Sequence, residues 1–518
     1  MASNIVNGIT SIVVARLLGP TNFALYGIAL TLPTLLFSFS NLGVDQAIIR
    51  YVARLQQEGS IETAWRILKA GYAIRLAVAL VSMSVGFVIA SSFTTEILLR
   101  TGIVGFVQLA TITVPLQASF WYSYQGFKGI NRMSLSAVVR SLQAVSKAVI
   151  SIALIWLGFS ILGAITGFVL SYALAGLSGI VALWYMAEKQ GGSEANEQVV
   201  KIRDVVKFGL SLYMLTILSD GINQVRLILL ANNFDDVLIG NFNAASNLSV
   251  ILLGFTVALV GVLFPAFSRL SARLSPSQMS NAFNRALNYV ALPVIPVAFL
   301  TIAMADQISL FLYGVDYEIT PEFLRFLALI PLAIVLGANV MESFMNGIGK
   351  SRYSLLIWMS YFTVFLATAF MLIGTWGIIG VIIAQLIGRV VSSIIGLGLA
   401  SFFLQVNLDI RRIIPILVSA SISYILLSFI AALVEVNPIV WLFVGSLLFL
   451  LIFITILPLI KGIRMDDLDM MLVSFKPMPI IRFIVRLFVA YEKKLLKVLE
   501  RKSSSDGMHG PQFQSTIE

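Results

Sequence analysis

The stretch SLYMLTILSDGINQVRLILLANNFDDVLIGNFNAASN, residues 211–247, restarts a pattern that the chain first uses at its N-terminus. In it, one apolar segment ends and the next opens between Phe234 and Phe242, and the same transition occurs between Arg16 and Tyr26. Phe242 stands 216 positions after Tyr26. Further echoes pair Gly126 with Gly347, Gly158 with Gly374 and Gly163 with Gly380, at offsets of 216 to 221. The spacing predicts two related halves.

The composition is that of a polytopic membrane protein. Of 518 residues, 58% are hydrophobic and only 12% are charged, with a mean hydropathy of +0.95, whereas a soluble domain carries about 25% charged residues. Apolar runs of about 20 residues, long enough to cross a bilayer as a helix, follow one another closely. A transmembrane β-barrel would instead show alternating segments of about ten residues. With no cysteine and one histidine, His509, the chain is predicted to use no metal or other bound cofactor.

We predict an all-α fold of about fourteen transmembrane helices, arranged as two six-helix repeats followed by two additional helices. The predicted spans are 1–18, 23–43, 66–93, 102–124, 135–158, 161–187, 208–230, 238–264, 286–313, 324–346, 354–375, 377–404, 413–434 and 438–460. The predicted domains are an N-terminal lobe (1–188), a cytoplasmic linker (189–207), a C-terminal lobe (208–405), two further helices (406–462) and a cytoplasmic tail (463–518).

Basic residues in the loops predict the orientation. Loops after even-numbered spans carry nearly all of them, such as Lys128, Arg132 and Lys350, whereas loops after odd-numbered spans offer Arg100 and Arg325. Because Lys and Arg concentrate on the cytoplasmic side, both termini are predicted to be cytoplasmic. The net charge of +10 is thereby explained by topology, and no nucleic-acid partner is predicted. In the tail, lysines face one side of an amphipathic segment, which predicts contact with anionic membrane lipids.

Several short motifs resemble those of one family. They are the opening Arg16-Leu-Leu-Gly-Pro with Tyr26, the Gly-x-Phe-x-Ala that begins at Gly240, and the Phe-Leu-Tyr-Gly-Val-Asp-Tyr that begins at Phe311. Over about residues 1–460 the chain resembles the polysaccharide transporter family, with its Wzx-type flippases, of the multidrug/oligosaccharidyl-lipid/polysaccharide exporter superfamily. The resemblance implies two six-helix bundles around a central cavity. The cavity would open alternately to each side and move lipid-linked sugars from the inner to the outer leaflet of the plasma membrane.

Span seven departs from the pattern of this family. Relatives usually have an acidic residue followed by a basic one, whereas this chain has Val225 before Arg226 and its acidic residue at Asp220. The ion-coupling site of the family is therefore not carried over to this chain at the usual position.

Ionisable side chains inside a span are costly and are functional candidates by default. Span five has Arg140, Gln143 and Lys147 at three- and four-residue spacing, hence on one helical face. Arg16, Arg226 and Arg389 lie in spans one, seven and twelve, and the polar residues Asn243, Asn247 and Gln385 lie in spans eight and twelve. We predict that the five basic residues form a cationic cavity for a phosphate or diphosphate head group, because guanidinium donors match phosphate oxygens. The amides would meet sugar hydroxyls.

The same polar residues have a second interpretation, as interhelical contacts or snorkelling anchors worth about 1 kcal/mol each. For Arg16, near the outer end of span one, and Arg75, near the inner end of span three, snorkelling is the favoured interpretation. Asp45 is interpreted as structural. Asp220 is a candidate site for coupling to a proton or sodium gradient, or else a counter-ion for Arg226 or for a neighbouring basic residue. The aromatic run from Phe120 to Tyr124 is a candidate for holding a sugar ring, but the favoured interpretation is an interfacial belt.

The leading functional hypothesis is a flippase for polyprenyl-phosphate- or diphosphate-linked oligosaccharide, working beside glycan-assembly enzymes for surface polysaccharide or protein glycosylation. A cation-coupled multidrug antiporter is the first alternative, disfavoured because buried basic residues outnumber acidic ones. A membrane glycosyltransferase or polymerase would need catalytic acids in a sizeable loop, and a scaffold has no reason to bury charge. The chain has no Gly-x-x-x-x-Gly-Lys-Ser/Thr motif, so we predict a transporter that is not an enzyme and hydrolyses no ATP.

Overall fold

The computed structural model describes residues 2–190, 202–271, 275–460, 462–463, 486, 489–491 and 493. In this part the chain is helical. The α-helices, in chain order, are α1 (Ala2–Ala29), α2 (Thr31–Ser40), α3 (Val44–Gln57), α4 (Ile61–Ser92), α5 (Val104–Thr111), α6 (Thr113–Gly129), α7 (Met133–Leu154), α8 (Ser160–Gln190), α9 (Ile202–Asn233), α10 (Asp236–Ser271), α11 (Pro276–Ala303), α12 (Ala305–Tyr313), α13 (Thr320–Leu327), α14 (Val340–Gly347), α15 (Ser351–Leu404), α16 (Ile414–Leu433) and α17 (Pro438–Leu459). Most of the predicted linker and nearly all of the predicted tail lie outside the described residues.

The helices are those of a polytopic membrane protein. Among the described residues, eight helical stretches are long and apolar enough to cross a membrane, and a bent pair, Thr320–Leu336 with Val340–Gly347, adds a ninth if it counts as one span. Two of the eight, Met133–Ala187 and Ser351–Leu404, are 55 and 54 residues long. A single crossing needs about 20 residues, so each of these stretches has room for two. The helices are consistent with the predicted fourteen spans.

Glycines break the two longest stretches and let the chain fold back. Gly158 and Gly377 have φ angles of 93° and 58°, in the region that residues with a side chain rarely adopt. Beyond the second break, a Cβ atom at Gly380 would lie 2.4 Å from the carbonyl oxygen of Leu372, eight residues earlier. An unbroken helix would separate these two residues by about 12 Å. The long α15 is therefore two spans joined by a tight turn.

The described residues group into two compact units. Unit 1 comprises 1–251, 309–327 and 350–395, and unit 2 comprises 252–308, 328–349 and 396–518. These units do not coincide with the two six-helix lobes predicted from the sequence, and the boundaries of those lobes stay a prediction.

The core of unit 1 holds the aromatic run from Phe120 to Tyr124. Tyr122 is fully buried, and its hydroxyl donates a hydrogen bond of 2.6 Å to the carbonyl oxygen of Leu68. Phe120 is 3% exposed and lies in the same cluster of buried side chains. The interpretation of this run as an interfacial belt is therefore wrong, because a protein carbonyl satisfies the Tyr122 hydroxyl and neighbouring helices cover the rings.

Polar contacts hold the loops at one end of unit 1. Arg100, before α5, forms an ion pair with Asp236 at 2.9 Å and donates a second bond of 2.8 Å to the carbonyl oxygen of Phe234. Close by in the chain, the side-chain oxygen of Asn241 accepts bonds from the backbone N–H and the hydroxyl of Thr320, at 3.0 and 2.9 Å. These bonds satisfy the polar groups where α10 and α13 begin.

Unit 2 is held by aromatic packing and by backbone contacts of one asparagine. The Phe344 ring lies with its centroid 5.1 Å from that of Phe267 and 5.2 Å from that of Phe283, both nearly edge to face. Asn284 on α11 donates to the carbonyl oxygen of Asn407 at 2.7 Å and accepts from the backbone N–H of Asp409 at 2.9 Å. The segment before α16 is thereby fixed against α11.

Candidate functional site

Arg226 is the basic residue whose contacts say most about a binding site. It lies on α9, and its Nη1 donates a hydrogen bond of 2.9 Å to Oε1 of Gln385 on α15. Its guanidinium carbon lies 5.1 Å from the ring centroid of Phe242 on α10, within cation–π range. Both partners are uncharged, so neither neutralises the guanidinium charge.

Arg389 adds a second positive charge to the same place. It follows Gln385 by four residues on α15, hence on the same helical face. Its guanidinium carbon lies 5.5 Å from the ring centroids of both Trp358 and Tyr361. Tyr361 is buried, and its hydroxyl interacts electrostatically with Arg389 and with Arg226. We call Arg226, Tyr361, Gln385 and Arg389 the arginine cluster.

A glycine allows the two halves of α15 to approach at this cluster. A Cβ atom at Gly388 would lie 2.9 Å from Cδ2 of Tyr361 and 3.2 Å from the Tyr361 carbonyl oxygen. No residue with a side chain fits there without moving the Tyr361 ring, which is itself buried. Gly388 therefore fixes the distance between Tyr361 and the helical face that carries Arg389.

Two buried donors of the arginine cluster have no hydrogen-bond partner. They are Nε of Arg226 and Nε2 of Gln385. In the part of the chain that the structure describes, Arg226 also has no carboxylate within ion-pair distance. A buried donor without an acceptor carries a desolvation cost of about 1–3 kcal/mol, and more for a charged group. The two unpartnered donors and the uncompensated charge can bind a ligand that supplies anionic oxygens.

Two predicted residues of α7 have other surroundings in unit 1. The Nζ atom of Lys147 lies 5.4 Å from the ring centroid of Phe168 on α8. Gln143 is buried, accepts a bond of 3.4 Å from Asn7 on α1 and donates one of 3.4 Å to Ser171 on α8. Gln143 thus links three helices, which is the interhelical contact that the second interpretation describes.

The third predicted residue of α7, Arg140, donates to the Tyr124 hydroxyl at 2.9 Å and to Asn4 at 2.7 Å. The remaining predicted residues contact α1 or a loop: Asn247 donates to Ser11 at 3.0 Å, Asn243 approaches Gly27, and Arg16 lies beside Gly314. The structure therefore brings Arg226, Gln385 and Arg389 together, and gives the other six predicted residues different partners. Their part in binding stays a prediction.

Asp220 makes a contact between two predicted spans. Its Oδ2 accepts a hydrogen bond of 2.9 Å from Ser38 on α2. Asp220 precedes Arg226 by six residues on α9, about a third of a turn off the same face. The described residues contain no ion pair between them, so the interpretation of Asp220 as the counter-ion of Arg226 is wrong. Its coupling role stays a prediction.

Arg75 is buried inside unit 1 and does not snorkel. Its side chain is 0% exposed and lies 3.5 Å from the carboxylate of Asp45, which is itself 5% exposed. Nη1 donates a further bond of 2.6 Å to Ser40, and the guanidinium lies 5.1 Å from the Phe37 ring centroid. The snorkelling interpretation is therefore wrong, because a buried carboxylate neutralises the charge in place.

Sequence reasoning missed the aromatic residues around the arginine cluster. Trp358 and Tyr361 are three residues apart and hence share a helical face, and Phe242 stands in the repeated motif near the start of α10. Ordinary packing of membrane helices produces the same spacing, so the sequence alone gave no reason to connect these rings with Arg226 or Arg389.

Comparison with known proteins finds a family and a curated relative for part of the chain. A family described as "Polysaccharide biosynthesis protein" matches residues 1–271. A curated protein of Haloferax volcanii, the "Probable low-salt glycan biosynthesis flippase Agl15", is 23% identical over 230 residues, which are 44% of this chain and 48% of that protein. The chain thus matches about half the length of this curated relative.

Solved structures share the fold over most of the chain. The lipid II flippase MurJ, in an inward closed conformation, superposes with a TM-score of 0.73 at 15% identity, over 88% of this chain and 96% of that chain. An inward-facing multidrug resistance transporter of the MATE family superposes with a TM-score of 0.59 at 17% identity, over 76% of this chain and 92% of that chain. At these identities the likeness establishes the fold alone.

Proposed function

The chain belongs to the polysaccharide biosynthesis protein family, and from this premise we propose that it is a flippase for lipid-linked oligosaccharide. It moves a polyprenyl-phosphate- or diphosphate-linked glycan from the inner to the outer leaflet by alternating access. The glycan serves surface polysaccharide or protein glycosylation. The probable glycan biosynthesis flippase of Haloferax volcanii and the lipid II flippase MurJ support the substrate class, because one is named for glycan biosynthesis and the other for lipid II.

The observation that carries this proposal is the arginine cluster. Arg226 has an uncharged hydrogen-bond partner, and its unpartnered Nε lies in the same cluster as the unpartnered amide nitrogen of Gln385. A phosphate or diphosphate group supplies the acceptors and the negative charge that these donors call for. Arg389 adds a guanidinium whose charge persists at any relevant pH.

The residues of the cluster have separable tasks in this proposal. Arg226 and Arg389 bind the phosphate oxygens, and the free amide donor of Gln385 binds a phosphate or sugar oxygen. The ring of Tyr361, buried against Gly388, holds the Arg389 guanidinium in position, and Gln385 holds that of Arg226. The lipid tail stays in the membrane, because transferring its methylene groups to water would cost about 0.8 kcal/mol each.

The energy source proposed for this cycle is a proton or sodium gradient, with Asp220 as the coupling residue. Asp220 joins α9 to α2 through Ser38, so a change in its charge state acts on a contact between two predicted spans. The protein resides in the plasma membrane with both termini in the cytoplasm, beside the enzymes that assemble the glycan. This orientation follows from the distribution of Lys and Arg in the loops.

The proposal is tested by depleting the protein in its native cell and measuring which leaflet holds the lipid-linked oligosaccharides. Complete lipid-linked glycans are expected to accumulate on the cytoplasmic face while surface glycan disappears. Wild type and R412Q should restore export, since Arg412 lies in a half-exposed ion pair with Asp409. The double variant R226Q/R389Q should not. Restoration by R226Q/R389Q would contradict the proposal.

A multidrug antiporter is the alternative function, and the same depleted cells test it. A site with two guanidinium groups and no carboxylate at Arg226 repels cationic drugs, which is why this function is not preferred. If depleted cells keep normal glycans but become sensitive to cationic drugs, the antiporter replaces the flippase.

A further inference from the structure

A second pair of basic residues converges on one tyrosine near the junction of α6 and α7. Lys128 lies in the last turn of α6, and its Nζ atom is 4.1 Å from the ring centroid of Tyr124. Arg140 lies two turns into α7, with its guanidinium carbon 5.5 Å from the same centroid. The two charges are therefore at most about 10 Å apart, on opposite sides of the chain turn that joins the helices.

These two charges have no acidic counterpart among the side chains that the structure describes. Arg140 uses two of its donors on neutral oxygens, the hydroxyl of Tyr124 at 2.9 Å and the amide oxygen of Asn4 at 2.7 Å. Lys128 has the ring of Tyr124 as its partner. Two like charges beside one ring repel each other, and the repulsion is strongest where water is scarce. An anion between them would relieve it.

The donors at this place match a phosphate group. The Tyr124 hydroxyl accepts from Arg140, so its own hydrogen is available to a ligand. Lys128 has three ammonium donors, and the guanidinium of Arg140 has donors beyond the two it uses. Ammonium, guanidinium and phenol together can bind several oxygens of one phosphate, whereas Tyr124 itself is 8% exposed and is held in place by stacking on Phe120.

Arg140 of this site lies on the same helix as Lys147, nearer to the end of α7 that follows Lys128. Arg140 and Lys147 are seven residues apart on α7, so they lie on one face with about 10 Å between them along the helix axis. Lys128 precedes a loop whose basic residues predict the cytoplasmic side of the membrane. A lipid phosphate that enters from the cytoplasmic leaflet would meet Lys128 and Arg140 before it met a residue deeper in α7.

We propose that Lys128, Tyr124 and Arg140 form a separate binding site for a lipid phosphate, which takes the head group of the substrate before it reaches the arginine cluster. This inference rests on the proposed function for the identity of the lipid. The chemistry that the site recognises, a phosphate on a membrane lipid, also occurs in anionic phospholipids. The site serves loading only if it prefers the polyprenyl lipid over these.

The test is native mass spectrometry of the purified full-length protein in detergent, titrated with a polyprenyl diphosphate that carries no sugar. Wild type is expected to bind two molecules. K128Q/R140Q and R226Q/R389Q are each expected to bind one, with the lost site weakened about tenfold or more. R132Q is the matched control, because Arg132 is an exposed basic residue of the same turn, and it should bind two.

Further variants separate a binding role from a structural one. K128R/R140K keeps both charges and should keep two bound molecules, and Y124F should weaken the same site by removing the phenol donor. Thermal unfolding of each variant checks that the fold survives. Two molecules bound with unchanged affinity by a folded K128Q/R140Q would overturn the inference.

The source of the phosphate is decided by competition with phosphatidylglycerol. We expect phosphatidylglycerol to leave the polyprenyl diphosphate bound at Lys128 and Arg140. If phosphatidylglycerol displaces the polyprenyl diphosphate as well as the polyprenyl diphosphate displaces it, the loading role is overturned. In reconstituted vesicles, K128Q/R140Q should slow flipping about tenfold at low substrate and recover at saturation. If K128Q/R140Q flips like wild type while R226Q/R389Q is inactive, this inference fails and the proposed function stands.

Discussion

Unit 1 contains two arginines inside predicted spans whose surroundings are opposite. Arg75 is fully buried, lies 3.5 Å from the carboxylate of Asp45 and donates to Ser40. Arg226 donates to the neutral amide of Gln385. The Nε atoms of both arginines are buried without a hydrogen-bond acceptor, so the two differ in the carboxylate alone. In the part of the chain that the structure describes, Arg75 thus has a built-in counter-ion and Arg226 does not.

The difference teaches how to separate structural charge from charge held for a ligand. In a buried ion pair the two charges neutralise each other within the protein, and removal of one partner leaves the other uncompensated. A buried cation with neutral partners is incomplete, so its removal relieves the fold of a charge and deprives a ligand of a partner. The first kind of residue should therefore control stability, and the second should control transport.

The largest effect on stability is expected from D45N. This change leaves Arg75 fully buried without its carboxylate, which typically costs about 3–5 kcal/mol. The free energy of unfolding should fall by that amount, measured by thermal or denaturant unfolding in detergent. D409N serves as control, because the Asp409–Arg412 pair is 40% and 39% exposed and contributes about 0–1 kcal/mol. A D45N protein as stable as wild type would break the comparison, since Arg75 would then not depend on Asp45.

The opposite outcome is expected for R226Q. Transport should fall about tenfold or more, because the loss of one charge-assisted hydrogen bond weakens substrate binding by about that factor. The free energy of unfolding should stay the same or rise. Flipping in reconstituted vesicles and unfolding in detergent are measured on the same preparation. R226K should retain part of the activity, because it keeps the charge and loses only the planar arrangement of donors. A strongly destabilised R226Q would place Arg226 with Arg75 as a structural residue.

Much of the fold could be predicted from the sequence, because bilayer thickness and backbone hydrogen bonding leave few solutions. The repeat is visible again in the structure: Gly163 lies against the backbone of Leu154, and Gly380, 217 positions later, lies against Leu372. Each glycine stands just after a break between two spans. The pattern that suggested related halves therefore reflects matched close contacts.

The candidate site could be predicted only in part. Span and face were predictable for each polar residue, but Arg226 and Gln385 are 159 positions apart, and hydropathy carries no information about which spans meet. The error at Arg75 has the same origin. Its depth along span three suggested access to water, and only the packing of α2, α3 and α4 shows that Asp45 and Ser40 surround it.

A smaller effect is expected from G388A, which tests how far the position of Tyr361 matters. The new methyl group would stand 2.9 Å from the Tyr361 ring, so the ring must shift, and with it the Arg389 guanidinium that lies 5.5 Å from its centroid. Transport should fall several-fold, and stability should fall by about 1–3 kcal/mol, the usual cost of overpacking. The control is G374A, on the same helix, where a Cβ atom meets nothing within 4 Å. It should transport like wild type, and equal loss in both variants would indicate a general effect on α15.

The smallest effect is expected from D236N, which extends the comparison to a pair of intermediate exposure. Arg100 and Asp236 are each 22% exposed, so water screens them more than Arg75 and Asp45 and less than Arg412 and Asp409. The amide oxygen of the new side chain can still accept from Arg100, and Arg100 keeps its bond to Phe234. We therefore expect a loss of about 1 kcal/mol, between those of D409N and D45N, in the same unfolding measurement. If D236N lowers the free energy of unfolding as much as D45N does, the exposure of an ion pair does not determine how much it contributes to stability. The contrast between Arg75 and Arg226 would then have to rest on the presence of a counter-ion alone.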